Sequence, residues 1–208
     1  MAKFINMTCF SGSVGGFVGC MGPFGFYVRS KPRKSAKAPT QKQLENRIKM
    51  GLIGNFLRPF KEMIYLGFAS SHHVKSKTAA MNMAVAHAMR NAIGGAFPEL
   101  YIRPDQVMLS KGNVQKLNKV AVRLEDQHLY VQWSTSVNNF NAFADDCVYL
   151  LCYNVQQKTL TVSDKMRREG TINLNLKAEP HQSRLLVYAC VSSRAGKFFS
   201  NSQYLGEF

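Results

Sequence analysis

Residues 128–136 read HLYVQWSTS. Apolar and polar side chains alternate through LYVQW, which puts Leu129, Val131 and Trp133 on one face of a half-buried strand. The same period of two recurs on both sides. VAVRLED precedes this stretch, and CVYLLCYN, TLTVS, TINLNL, LLVYACVS and SNSQYLG follow it, with turn residues between them. Seven short strand-like runs with one inward tryptophan predict an antiparallel β-sandwich over residues 105–208. The cysteines are not placed as the bridging pair of antibody domains, so the expected arrangement is nearer fibronectin type III than immunoglobulin.

Upstream of Tyr101 the period changes to that of helices. Thr40 and Gln43 make the T-x-x-Q form of a capping box, and Leu44, Ile48, Leu52 and Phe56 step by four along a first helix. Pro59 suits the first turn of a second helix running to about Gly67, with Met63, Ile64 and Leu66 apolar. Thr78 is the expected cap of a third helix, with Met81, Val85, Met89 and Ile93 as its core face and Gly94-Gly95 as its stop. A methionine-rich helix can mark an adaptable binding surface, but this spacing reads as core. The predicted fold class is therefore α+β. A glycine-rich arm and basic linker (1–39) and a helical region (40–104) precede an Ig/fibronectin-III-like sandwich (105–208).

The arm interleaves aromatic residues with glycines at 12, 15, 16, 19, 22 and 25. GSVGGFVG lacks the GK[ST] of a phosphate loop, and no βαβ pattern surrounds it. Phe10, Phe17, Phe24, Phe26 and Tyr27 are an aggregation liability unless covered. They predict short strands or turns that pack on another surface, and they are the candidate self-association residues.

The chain carries 27 Lys+Arg against 12 Asp+Glu, a net charge of +15. Residues 1–104 hold +12 of it and residues 105–208 only +3. The excess centres on RSKPRKSAKAPTQKQLENRIKM (29–50), where Arg29, Lys31, Arg33, Lys34, Lys37, Lys42, Arg47 and Lys49 face one acid, Glu45. A positive extended segment leading into a helix suits contact with phosphates. The expected partner is nucleic acid, DNA in preference to RNA, or another polyanion, and the chain is expected to form a homo-oligomer or polymer. A basic surface kept for solubility is the competing reading.

Little in the sequence points to catalysis. Asp145-Asp146 flank a strand start, as turn residues do, and Ser, His and Cys have no spacing that suggests a triad. Five cysteines without a C-x-x-C pair argue against a disulfide framework and a zinc site. His72 and His73 are adjacent and so cannot form an i, i+4 metal pair, and with His87 they read as structural or solvent-exposed. No cofactor, no metal and no enzymatic activity are expected. The N-terminal stretch has no apolar run of signal-peptide length, and no window reaches a transmembrane span. The expectation is a cytoplasmic protein, or one released without a cleavable signal, that does not insert in membranes.

The motifs SGSVGGFVG, YVRSKP, APTQKQLENRIKM, NAIGGAFPE, VMLSKGN and GKFFSNSQYLG run through nearly the whole chain. Together they resemble a family of small uncharacterised Bacteroidota proteins, known as a domain of unknown function. YVRSKP with the helix start after it is the most specific of these, and Cys20, Met21 and Pro23 stand where that family more often has polar or basic residues. The resemblance implies a Bacteroidota or associated-phage origin and a fibronectin-like C-terminal half, and it carries no activity.

Overall fold

The computed structural model describes residues 3–4, 9–22, 24–33, 37–69, 76–125, 127–138, 140–176 and 183–208. His72 and His73 lie outside these. The chain divides into two compact units, Met1–Thr40 and Gln41–Phe208.

The first unit is a four-stranded antiparallel sheet in sequence order: β1 (Lys3–Phe4), β2 (Phe10–Val14), β3 (Phe17–Gly22) and β4 (Gly25–Ser30). Glycine makes it possible at two kinds of place. Gly15 turns β2 into β3 with φ +55°, which side chains resist. Gly19 lies beneath Phe10, where an added Cβ would stand 2.7 Å from the ring and run into the Phe10 carbonyl.

The second unit begins with α1 (Gln41–Leu57), directly after Thr40. A single 3-10 turn (Arg58–Phe60) starts with Pro59 and leads into α2 (Lys61–Gly67). The helix after it, α3 (Lys77–Asn91), is capped by Ser76, whose hydroxyl accepts from the Ala79 N–H at 3.1 Å. Thr78, the expected cap, lies inside the first turn. Gly94-Gly95 do not stop this helix either. They belong to a hairpin of β5 (Ile93–Ala96) and β6 (Glu99–Ile102), in which Gly94 makes room for the Tyr101 ring.

Helix packing also differs from the expected stripes. The buried row of α3 is Ala80, Ala84 and Ala88, continued by Ala92, while Met81, Val85 and Met89 flank it half-buried. Small residues let the helix approach its neighbours closely, and the longer chains fill the sides. On α1 the buried residues are Ile53 and Leu57, and Leu44 and Ile48 remain exposed. A row stepping by four winds about 40° per step around a helix, so it leaves a fixed contact face after two turns. On α2, Met63 and Ile64 are buried and Leu66 is exposed.

All seven strand-like runs form strands. β7 (Ala121–Glu125), β8 (His128–Gln132) and β11 (Thr171–Asn175) make one antiparallel sheet in the order β11-β8-β7. β9 (Cys147–Asn154), β10 (Thr159–Met166), β12 (Leu185–Ser192) and β13 (Gln203–Glu207) make another in the order β10-β9-β12-β13. The protein is thus α+β. Val148, Leu150 and Cys152 on β9, with Val187, Ala189 and Val191 on β12, share a core with Leu129, Val131, Ile172 and Leu174 of the three-stranded sheet. The alternate residues Leu151, Tyr153, Leu186, Tyr188 and Cys190 share a second core with the helices. Phe60 meets Tyr153 and Tyr188 edge-on at 5.2 and 5.6 Å.

The central strands β9 and β12 are therefore covered on both faces, which explains why CVYLLCYN and LLVYACVS are nearly continuous apolar runs. The helices form a third layer that the two-sheet expectation did not include. Two of the quoted motifs pair with each other. The Leu109 N–H donates to Ser202 Oγ (2.9 Å), Ser110 Oγ to the Ser200 carbonyl (2.8 Å) and the Gly112 N–H to Asn201 Oδ1 (3.1 Å).

Candidate nucleic-acid interface

In an antiparallel sheet, residues directly opposite one another share a face. The register of the first unit sets Val14 opposite Phe17, Gly19 opposite Gly12 and Val28, and Met21 opposite Phe26. One face is therefore Val14, Phe17, Met21, Phe26 and Val28, joined by Phe10, whose ring meets Phe26 edge-on at 5.7 Å. Val18 stands opposite both Ser13 and Arg29, and Cys20 opposite Tyr27, so Arg29 and Tyr27 occupy the other face.

The apolar face lies open. Phe17 is 59%, Met21 58%, Val28 48% and Val14 45% exposed. Three of the five candidate self-association residues, Phe10, Phe17 and Phe26, belong to it. Tyr27 sits on the face that bears Arg29, and Phe24 is fully exposed at the β3–β4 turn. Val14, Met21 and Val28 were missing from the sequence-based set. Counting alternate positions outward from the Gly15-Gly16 turn reaches Val14 and Met21, whereas Val28 follows only from the register across the second turn, where Gly22 faces Gly25.

The basic residues fall in both units. Arg29 is the last residue but one of β4, and exposed Lys31 follows the strand directly, its N–H donating to the Gly16 carbonyl at 2.7 Å. Arg33 and Lys37 are exposed, and Lys34 lies outside the described residues. Lys42, Arg47 and Lys49 are on α1 and do not form one patch. Lys42 and Lys49 share a side, and Arg47 projects roughly 140° around the helix from Lys42. Lys49 is committed to Glu45, one turn back, at 2.6 Å. Five of the eight candidate cations fall between Arg29 and Lys37 and three on α1.

Elsewhere the second unit offers less. An open groove on the outer face of the three-stranded sheet is lined by Ala121, Arg123, Glu125, Tyr130 and Gln132, with both signs of charge. His87 is half-buried on α3, and burial, with Lys111 and Arg90 nearby, lowers its pKa and favours the neutral ring. Among the described residues no group of His, Cys, Asp and Glu is placed to hold a metal ion, and no helix is long and apolar enough to cross a membrane.

Residues 9–206 match a family described as "Family of unknown function (DUF6266)". The chain belongs to that family. No curated protein and no solved structure matches it. The matched region reaches into both units, and takes in β2 to β4 of the first sheet and nearly all of the layered second unit.

Proposed function

We propose that this DUF6266 protein is a non-enzymatic, self-associating basic protein that binds nucleic acid, DNA in preference to RNA, through its phosphates and coats it. The observation that carries this is the sorting of one small sheet into an open apolar face and a face bearing Arg29, followed directly by Lys31 and Arg33. Residues 1–40 contain six Lys+Arg and no Asp or Glu, so this unit is cationic throughout. Tyr27 beside Arg29 offers a ring for stacking on unpaired bases. Contacts of this kind are to backbone and largely independent of sequence.

The test is fluorescence anisotropy of labelled single- and double-stranded oligonucleotides across a salt series. Five cations from Arg29 to Lys37 give an expected slope of log K against log salt of roughly −4. Replacing Arg33, Lys34 and Lys37 with alanine weakens binding to all sequences alike and lowers that slope by roughly three. An affinity indifferent to salt refutes the proposal.

The second reading is a structural subunit of a filament, particle or phage-derived assembly without nucleic acid. The open face of Phe17, Met21 and Val28 favours it. Particles that form from protein freed of nucleic acid by nuclease and high salt would select it. For the second unit, the orders β10-β9-β12-β13 and β11-β8-β7 across a shared core support a fibronectin type III sandwich with helices added to one sheet.

A further inference from the structure

We infer that the outer face of the three-stranded sheet β11-β8-β7 binds a neutral glycan, with Tyr130 as the platform under one sugar ring. This site is separate from the nucleic-acid reading above and does not rest on it. Leu129, Val131, Ile172 and Leu174 are buried in the core, so the alternate residues of these strands face solvent. Tyr130 is the centre of that outer face, between Arg123 on β7 and Asn173 on β11. His128 and Gln132 flank it along β8, and Glu125 stands opposite His128.

Shape and charge separate this face from an ordinary wet one. Ala121, small and opposite Gln132, leaves a hollow of about 160 Å³ bounded by Arg123, Glu125, Tyr130 and Gln132. Sites that enclose a whole small molecule run from about 300 Å³, so this one takes a single ring of a longer chain. The protein carries +15, yet the outward positions of these three strands hold one arginine and one glutamate. Arg123 and Glu125 are neighbours on one side of β7, and neither pairs with another described side chain. A polyanion drawn to Arg123 meets Glu125 beside it, so the balance of charge suits a neutral ligand.

The side chains present match sugar chemistry. A guanidinium only donates, a carboxylate only accepts and the amides of Gln132 and Asn173 do both, while each sugar hydroxyl can donate and accept. An apolar partner would leave these groups without hydrogen bonds. The Tyr130 ring offers an apolar surface with a polar tip, which fits the C–H side of a pyranose. The His128 ring lies beside it, with centroids 6.1 Å apart and planes 32° apart, and His128 Nδ1 is 3.3 Å from Asn173 Oδ1. The platform is thus set before a ligand arrives, which lowers the cost of binding.

The experiment is saturation-transfer NMR on the full chain with cellohexaose, maltohexaose, xylohexaose and chitohexaose, at low and high NaCl. Tyr130→Ala and Glu125→Gln are run beside the wild type, with Arg90→Ala, exposed on α3, as the control. Both test positions are on the wet face, and Glu125→Gln keeps the side chain's shape. The expected result is saturation of the ring protons of at least one oligosaccharide, with the same affinity at both salt concentrations. Tyr130→Ala lowers that affinity on the order of tenfold. Glu125→Gln lowers it too, and Arg90→Ala leaves it unchanged. Silence from all four oligosaccharides overturns the inference. So does an affinity that neither Tyr130→Ala nor Glu125→Gln moves, or one that collapses with salt. A last arm uses oligothymidylate. If Tyr130→Ala weakens its binding and Glu125→Gln strengthens it, the face belongs to single-stranded nucleic acid, and the glycan site falls while the nucleic-acid reading stands.

Discussion

Arg167 and Asp146 lie with Nε and Oδ2 3.4 Å apart, both sealed from solvent where the chain leaves the four-stranded sheet for the three-stranded one. The guanidinium also donates to the Gln115 carbonyl at 2.6 Å, and the Trp133 indole N–H donates to the Arg167 carbonyl at 2.8 Å. Asp146 Oδ2 accepts the Phe143 N–H at 2.9 Å. One buried ion pair thus ties together residues flanking three strands, β8, β9 and β10.

Removing one partner of such a pair costs more than the pair contributes, because the other charge stays buried alone. Asp146→Ala is expected to lower unfolding free energy by about 3–5 kcal/mol. The double change Asp146→Leu, Arg167→Met is expected to cost clearly less. Urea titration followed by fluorescence of Trp133, the chain's one tryptophan, measures both. Equal losses would show that the charges are not what matters there.

Gly67 ends α2, where alanine is ordinarily the better helix former by about 1 kcal/mol. Here an added Cβ would strike the Ser110 Cβ and stand 2.8 Å from its Cα and 2.9 Å from the Leu109 carbonyl. Backbone cannot yield as a flexible side chain can. Gly67→Ala is therefore expected to destabilise by about 1–3 kcal/mol, seen as a lower melting temperature.

In the arm, Gly19→Ala is expected to disrupt the β2–β3 pairing, since Phe10 occupies the space a methyl group needs. Amide hydrogen exchange should speed up across residues 10–30 while residues 41–208 keep their protection. A variant with unchanged protection in the arm would contradict this packing.

Arg184 grips Glu207 with two hydrogen bonds, 2.6 and 2.9 Å, and holds its carboxyl below the usual carboxylate range. A depressed folded pKa means stability that is present above the unfolded carboxyl's pKa and lost as pH falls through the folded one. Both side chains are about half exposed, so the contribution is no more than about 1 kcal/mol. Glu207→Gln should be less stable than wild type at neutral pH and indistinguishable from it in acid, as thermal unfolding across that range would show.

Burial pushes the Cys190 thiol up to about 12. The fold keeps the thiol neutral, while the unfolded chain ionises it at lower pH. Its contribution is constant below the unfolded thiol's pKa and declines as pH rises from there toward the folded value. In mildly alkaline solution iodoacetamide should label Cys190 only as fast as the protein opens, with half-buried Cys147 labelled sooner. Mass spectrometry of timed digests reads both rates.

The strands were legible because alternation survives in the sequence wherever one face is wet, as in HLYVQ and TINLN. β12, with both faces covered, was legible by its β-branched and apolar run, but not what covers it. The helices were legible and their contact rows were not, because alanine in AAMNMAVAHAM signals nothing about its neighbour until the helix is docked. Arg167 was hidden in KMRRE, which reads as a solvated charge run, although this arginine is among the largest fully buried side chains. For the candidate interface, composition located the cations and aromatics. Which of them share a face depends on register, and that is fixed only when Gly15 sets the turn.

Sharing one sheet between two cores has a consequence for inheritance. β9 and β12 have no face to spare, so the segment after residue 104 cannot be transplanted as a cassette without exposing Leu151, Tyr153, Leu186 and Tyr188. A break near Thr40, by contrast, would leave both of these cores whole.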